Sequence, residues 1–170
     1  CRFRGYPFAA DPSQQLARME GDDIRPLVEG ATYLFTNEYE AALIHQKTGW
    51  SPADIAAIVT TRVTTLGPDG ARIERRGEAP VTVTVPEEDR KADPTGVGDA
   101  FRAGFLAGQA WGLTDERSAQ VGALLATYVI ETVGTQEYEL AQRHFLERLA
   151  RTYGDDAAAD VEPHVSCPRP

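Results

Sequence analysis

The chain has 170 residues, with 17 Lys and Arg against 26 Asp and Glu and a formal net charge of −9, and that length is typical of one domain. At 42% hydrophobic and 25% charged, with no uninterrupted apolar run long enough to cross a bilayer, the composition is that of a soluble globular chain and argues against a membrane partner. The acidic balance also argues against a general nucleic-acid partner, because the phosphate backbone is held by clustered Lys and Arg. Any phosphate is therefore bound locally. The two cysteines, Cys1 and Cys167, stand at opposite ends and form no disulfide framework, which suits a reducing compartment and makes the cytoplasm the expected location.

The sequence opens on Cys1-Arg2-Phe3-Arg4-Gly5, with neither an initiator Met nor a signal-peptide pattern. Its first strand, residues 6–10, already ends at Asp11-Pro12-Ser13, so the expectation is a chain entered partway through an alternating pattern. Residues 14–28 read as a weak helix interrupted by Asp22-Asp23 and Pro26, and 31–35 as a buried strand. A helix is expected over 38–47, broken by Thr48-Gly49-Trp50-Ser51-Pro52, with Ser51 capping a further helix over 53–58. Residues 60–66 are β-branched and read as a strand. Gly67-Pro68-Asp69-Gly70 is a turn, and 71–76 and 81–85 are further strands, antiparallel in part. Beyond the loop 93–98, helices are expected over 100–111, 114–132 and 138–153. The stretch 155–170, rich in Ala, Asp and Pro, reads as a disordered tail, with domain 1–153 before it. Strands alternating with helices imply an α/β fold with a mainly parallel sheet, and place function in the loops at the carboxyl ends of its strands.

The strongest chemical signal is Asp93-Pro94-Thr95-Gly96-Val97-Gly98-Asp99-Ala100-Phe101, two glycines before an acid at the mouth of an apolar helix. Glycines let backbone N–H groups approach an anion, and the helix dipole adds positive potential there. Asp99 is suited to accept a proton from a substrate hydroxyl, the base role in phosphoryl transfer to an alcohol. The bare string has a second reading, in which Asp99 caps the helix and the glycines only turn the chain. It is neither a Walker pattern nor a dinucleotide fingerprint, since no Gly-Lys-Ser/Thr and no third spaced glycine follow.

Residues 93–106 resemble the C-terminal signature of the ribokinase-like, PfkB-type carbohydrate kinases, with Ala103-Gly104 also in place. The resemblance implies a three-layer α/β/α sandwich, Asp99 as catalytic base and substrate contact, and Gly96, Val97 and Gly98 as an anion hole. Pro94 stands where that family usually has Thr, and Val97 where it has a small residue. Thr36-Asn37-Glu38-Tyr39-Glu40 resembles the family's Asn-x-x-Glu motif. It implies that Asn37 and Glu40 assist magnesium, mostly through water, and that Asn37 assists ATP; read locally, the same spacing is a helix capping box. Thr65-Leu66-Gly67-Pro68-Asp69-Gly70 resembles the nucleotide-side loop, implying that Thr65, Gly67 and Gly70 contact ATP, while locally it reads as a hairpin turn.

Residues 9–18, 33–37, 62–70 and 93–106 with Gly134-Thr135-Gln136-Glu137 are similar to the bacterial adenosine kinases of that family. This implies transfer of the ATP γ-phosphoryl group to the ribose 5′-hydroxyl of adenosine, a homodimeric protein about twice as long as this chain, and Arg18 on the substrate side. On its own, Arg18 also reads as a solvated helix arginine. Two other readings stay open: another sugar or nucleoside kinase of the family, such as a ribokinase- or fructokinase-like enzyme, and a non-catalytic nucleotide-binding fragment. The residues that grip the acceptor in this family lie in its N-terminal half, so this chain alone is expected to bind magnesium–ATP without phosphorylating adenosine. His45, His144 and His164 have no metal-ligand spacing.

Overall fold

The computed structural model describes residues 1–165. Cys167 and the rest of 166–170 lie outside the described residues. The chain forms two compact units, Cys1–Thr82 and Val83–Pro170.

The sheet has five strands in sequence order, β1 (Ala9–Ala10), β2 (Tyr33–Asn37), β3 (Thr61–Thr65), β4 (Ala71–Arg75) and β5 (Val81–Val83); β1 to β4 belong to the first unit, and its boundary falls within β5. β1, β2 and β3 run parallel and β4 is antiparallel to β3, as the alternation in sequence predicts. Between the parallel strands lie α1 (Gly21–Val28), α2 (Glu38–Thr48) and α3 (Pro52–Ile58). Their Ile24, Val28, Ile44 and Ile55 form one apolar cluster with Ala10 and Leu34 of the sheet. Periodic apolar positions on short helices thus find the apolar face of the sheet at Ala10 and Leu34 to bury against, which is where most helix stability comes from.

The weak helix expected over 14–28 is instead a 3-10 turn, Ser13–Ala17, followed by α1. The chain breaks at Glu20, whose extended backbone caps α1, and α1 then runs through Asp22, Asp23 and Pro26, which were expected to interrupt it; Gly21 packs so closely that a β-carbon there would fall 2.1 Å from the Lys47 carbonyl oxygen. α3 begins as predicted: Ser51 Oγ accepts from the Asp54 amide, Asp54 returns a bond to the Ser51 amide, and Pro52 fills the first helical position.

The second unit is helical: α4 (Val97–Ala110), α5 (Asp115–Ile130), α6 (Gln142–Tyr153) and α7 (Asp155–Val165). α4 and α5 approach closely because their facing positions lack side chains. A β-carbon on Gly104 would lie 2.7 Å from the Gly122 Cα, and one on Gly122 would lie 2.6 Å from the Phe101 carbonyl oxygen. Residues 155–165, expected as disordered tail, are helix α7. Ala157 and Val161, four apart, bury against Leu149 and Phe145 of α6, Arg117 of α5 pairs with Asp160 at 2.9 Å, and His164 stacks on Trp111. A segment too short to hold a helix alone holds one when a neighbour covers its apolar edge. Among the described residues no helix is long and apolar enough to cross a membrane.

Candidate active site

A backbone anion site needs N–H groups that converge with no side chain between them and the ligand, and the start of α4 is the segment of this chain to compare with that requirement; there the Val97 amide donates to the Pro94 carbonyl at 3.4 Å. α4 begins at Val97, three residues earlier than its apolar pattern indicates, with Gly96 at the cap in the left-handed region at φ +80°. A β-carbon there would be strained and would meet Thr135 Cγ2 at 2.8 Å. The amides of Gly98 and Asp99 fall in the first helical turn, where N–H groups have no intrahelical acceptor and the dipole is positive. The turn leading in is held by Asp93. Its Oδ1 accepts from the Thr95 amide at 2.9 Å and its Oδ2 from the Gly134 amide at 3.4 Å. The Thr95 side-chain and amide hydrogen bonds, then the Gly134 amide, hold the Asp93 carboxyl below the usual aspartate range. That anchor is in place above ordinary aspartate pKa values and is lost as pH falls through the lowered one.

Asp99 is the third residue of α4, and its side chain is 84% exposed. The capping alternative does not hold for it, because the cap is Gly96 and makes no side-chain bond. The Asp99 carboxylate accepts from Arg102 Nη1 at 2.9 Å. What stands here is a solvent-facing carboxylate beside a left-handed glycine turn.

In the first unit, Asn37 and Thr65 are register partners at the carboxyl ends of parallel β2 and β3. Gly67 and Gly70 follow directly in the β3–β4 connection, where the Leu66 amide donates to the Gly70 carbonyl at 2.8 Å. The local reading of this segment as a hairpin turn therefore describes its geometry, and it leaves Thr65, Gly67 and Gly70 grouped with Asn37 and Glu40. Arg18 is not brought to this group: it is exposed in the segment after the edge strand β1.

The capping reading of Asn37 and Glu40 is also realised. Asn37 Oδ1 accepts from the Glu40 amide, and Glu40 Oε2 from the Asn37 amide, both at 2.8 Å. With Glu40 only 6% exposed, this donor set does not fit direct coordination of a cation; what it can serve is a hydrated ion reached through water. Among the described residues no cluster of three or more His, Cys, Asp or Glu could hold a metal ion. Glu40→Ala is expected to cost about 1 kcal/mol in urea unfolding. Glu40→Gln, which can still accept the Asn37 amide, should keep most of that stability and raise the magnesium concentration needed for half-maximal kinase rate. Unchanged magnesium dependence would leave the pair as a cap alone.

Three residues of this site are absent from the sequence-based candidates. Asp93 ties the turn to Gly134 across 41 positions of chain and Thr135 faces Gly96 across 39; of these two only Asp93 had a local signal, the turn-forming Asp-Pro-Thr string. Arg102 was visible as the i+3 neighbour of Asp99 once both are placed on one helix.

The sequence profile of the pfkB family carbohydrate kinases matches residues 1–142. The nucleoside kinase of Burkholderia thailandensis in complex with inosine is 35% identical, with a TM-score of 0.84 over 88% of this chain and 50% of its own; the same protein has been solved with ADP-inosine. The nucleoside kinase of Methanocaldococcus jannaschii is 27% identical over 141 residues, 83% of this chain and 46% of its own. The inositol 3-kinase of Zea mays is 36% identical over 92 residues, 51% and 24% of the two chains. The fold is part of the ribokinase-like α/β fold. The chain belongs to the pfkB family of carbohydrate kinases. It spans about half the length of the nucleoside kinases it matches.

Proposed function

We propose that the protein transfers the γ-phosphoryl group of ATP to the 5′-hydroxyl of a purine nucleoside, adenosine above all. The observation that carries this reading is the exposed Asp99 carboxylate in the first turn of a helix capped by the left-handed Gly96 without any side-chain bond. Asp99 takes the hydroxyl proton as the hydroxyl oxygen forms its bond to the γ-phosphorus. The bond from that phosphorus to the β,γ-bridging oxygen breaks, and ADP leaves with the electron pair. The amides around Gly96, Val97 and Gly98 stabilise charge developing on the transferred group. Magnesium arrives as part of the magnesium–ATP substrate; by the family resemblance Asn37, Thr65, Gly67 and Gly70 are assigned to ATP, Asn37 and Glu40 to the hydrated ion through water, and Arg18 to the acceptor. A cytoplasmic homodimer remains the expected setting.

The nucleoside acceptor is supported by the inosine complex of the Burkholderia thailandensis relative. A second reading, a sugar or polyol acceptor, is supported by the similarity to an inositol kinase. Labelled ATP offered to the full-length protein with adenosine, inosine, ribose, fructose or inositol separates them. Label is expected on adenosine and inosine. Label only on a sugar or inositol would establish the second reading, and ATP binding with no transfer to any acceptor would make this a non-catalytic nucleotide-binding protein.

A further inference from the structure

We propose that Arg102 is a positioning residue that tethers the base Asp99 in its reactive orientation. The inference rests on the kinase reading above and assigns a role to a residue that reading does not use. The two members of the pair are unequally placed. The Arg102 side chain is 21% exposed, the Asp99 side chain 84%. Arg102 lies along the first turns of α4 with its Nη1 3.1 Å from the point a β-carbon on Gly98 would occupy, and the same atom donates to Asp99 Oδ1 at 2.9 Å. The guanidinium is thus packed against the glycine turn, while the carboxylate it holds reaches into solvent.

An exposed ion pair three residues apart on a helix adds little to stability, so the pair's main consequence is geometric. An untethered aspartate at this site samples several rotamers, and a base is effective only when its oxygen lies within hydrogen-bond reach of the proton it takes. Arg102 limits that sampling through one oxygen and leaves the other, Oδ2, for the substrate hydroxyl. The absence of any β-carbon at Gly98 lets the guanidinium lie this close.

The test is steady-state kinetics of the active enzyme carrying Arg102→Gln, Arg102→Lys, Asp99→Asn and the double change Asp99→Asn/Arg102→Gln. Arg102→Gln is expected to lower kcat about tenfold with KM for ATP and acceptor within about twofold and an unchanged melting temperature. Arg102→Lys should recover part of the loss. The double variant should be no slower than Asp99→Asn, because a tether has no effect once its base is gone. Wild-type kcat in Arg102→Gln, or a loss confined to the ATP KM, overturns the tether while an inactive Asp99→Asn keeps the base. Near-normal turnover in Asp99→Asn overturns the base itself, and the two failures are thereby distinguished.

Discussion

Asp99→Asn lowers turnover by about 10²-fold or more and leaves ATP affinity within about twofold: this is the result expected from the start of α4. Asparagine has the same shape, and its carbonyl oxygen can still accept from Arg102 Nη1, as the Asp99 carboxylate does at 2.9 Å. The cap of α4 is Gly96, which uses no side chain, so the helix does not depend on the residue at 99. The substitution therefore removes a proton acceptor and little else. Initial rates at saturating ATP, with calorimetric binding of magnesium–ATP and a melting curve on the same variant, check it. Turnover near that of the unsubstituted enzyme would reduce Asp99 to the partner of Arg102.

The largest effect on stability is expected from Glu131→Ala, at about 3 kcal/mol in urea unfolding. Arg148 of α6 is 2% exposed and Glu131, just past α5, is 13% exposed. The guanidinium Nη1 donates to Glu131 Oε2 and Nη2 to Oε1, both at 2.8 Å, and Oε1 also accepts from the Asp89 amide. Burial pushes the Glu131 carboxyl up, but the Arg148 hydrogen bonds, the Asp89 amide and the Arg148 charge outweigh it and leave the group below its usual value. Arg148 is held above its usual value, first by the hydrogen bonds to Glu131. Removing the carboxylate leaves a buried guanidinium with the Glu87 carbonyl at 3.1 Å and the Tyr128 ring as its remaining support. That support places the cost at the lower end of the range for a broken buried pair. Replacing both partners, as Glu131→Leu with Arg148→Met, should cost much less than the single change, because no charge is stranded. The pH dependence has a definite sign. A lowered glutamate pKa contributes stability above its unfolded value of about 4.5, and that contribution is lost as pH falls through the folded value. Glu131→Ala should flatten this acid limb, and an unchanged acid limb with full stability would contradict the network.

Much of the fold and part of the site follow from local chemistry. The apolar run at β2, the β-branched run at β3, the Ser51–Asp54 cap with Pro52 behind it, and the glycine string before Asp99 are signals carried within a few residues, and each lies within a residue or two of where it was read. The family resemblance was legible for the same reason, since a turn that exposes backbone amides must be written in glycines at fixed spacing.

Other features depend on partners far along the chain. The Asn37–Glu40 spacing is compatible with a cap and with a cation site alike, and only the observed pair of hydrogen bonds and the burial of Glu40 show the cap. The requirement for glycine at the start of α1 comes from the Lys47 carbonyl, and the order of residues 155–165 from α6, Arg117 and Trp111. The glycine turn is held by bonds from Asp93 to Gly134, and Arg148 finds Glu131 across the α5–α6 connection. By itself the sequence determined the parallel α/β alternation, the helix caps and the identity of the Gly-x-Gly-Asp turn, because these are set by backbone conformations and hydrogen bonds spanning at most four residues. The tertiary structure decided which polar groups are buried, which are spent on caps and which remain exposed for chemistry, because burial and pairing depend on surfaces that meet only when distant segments pack.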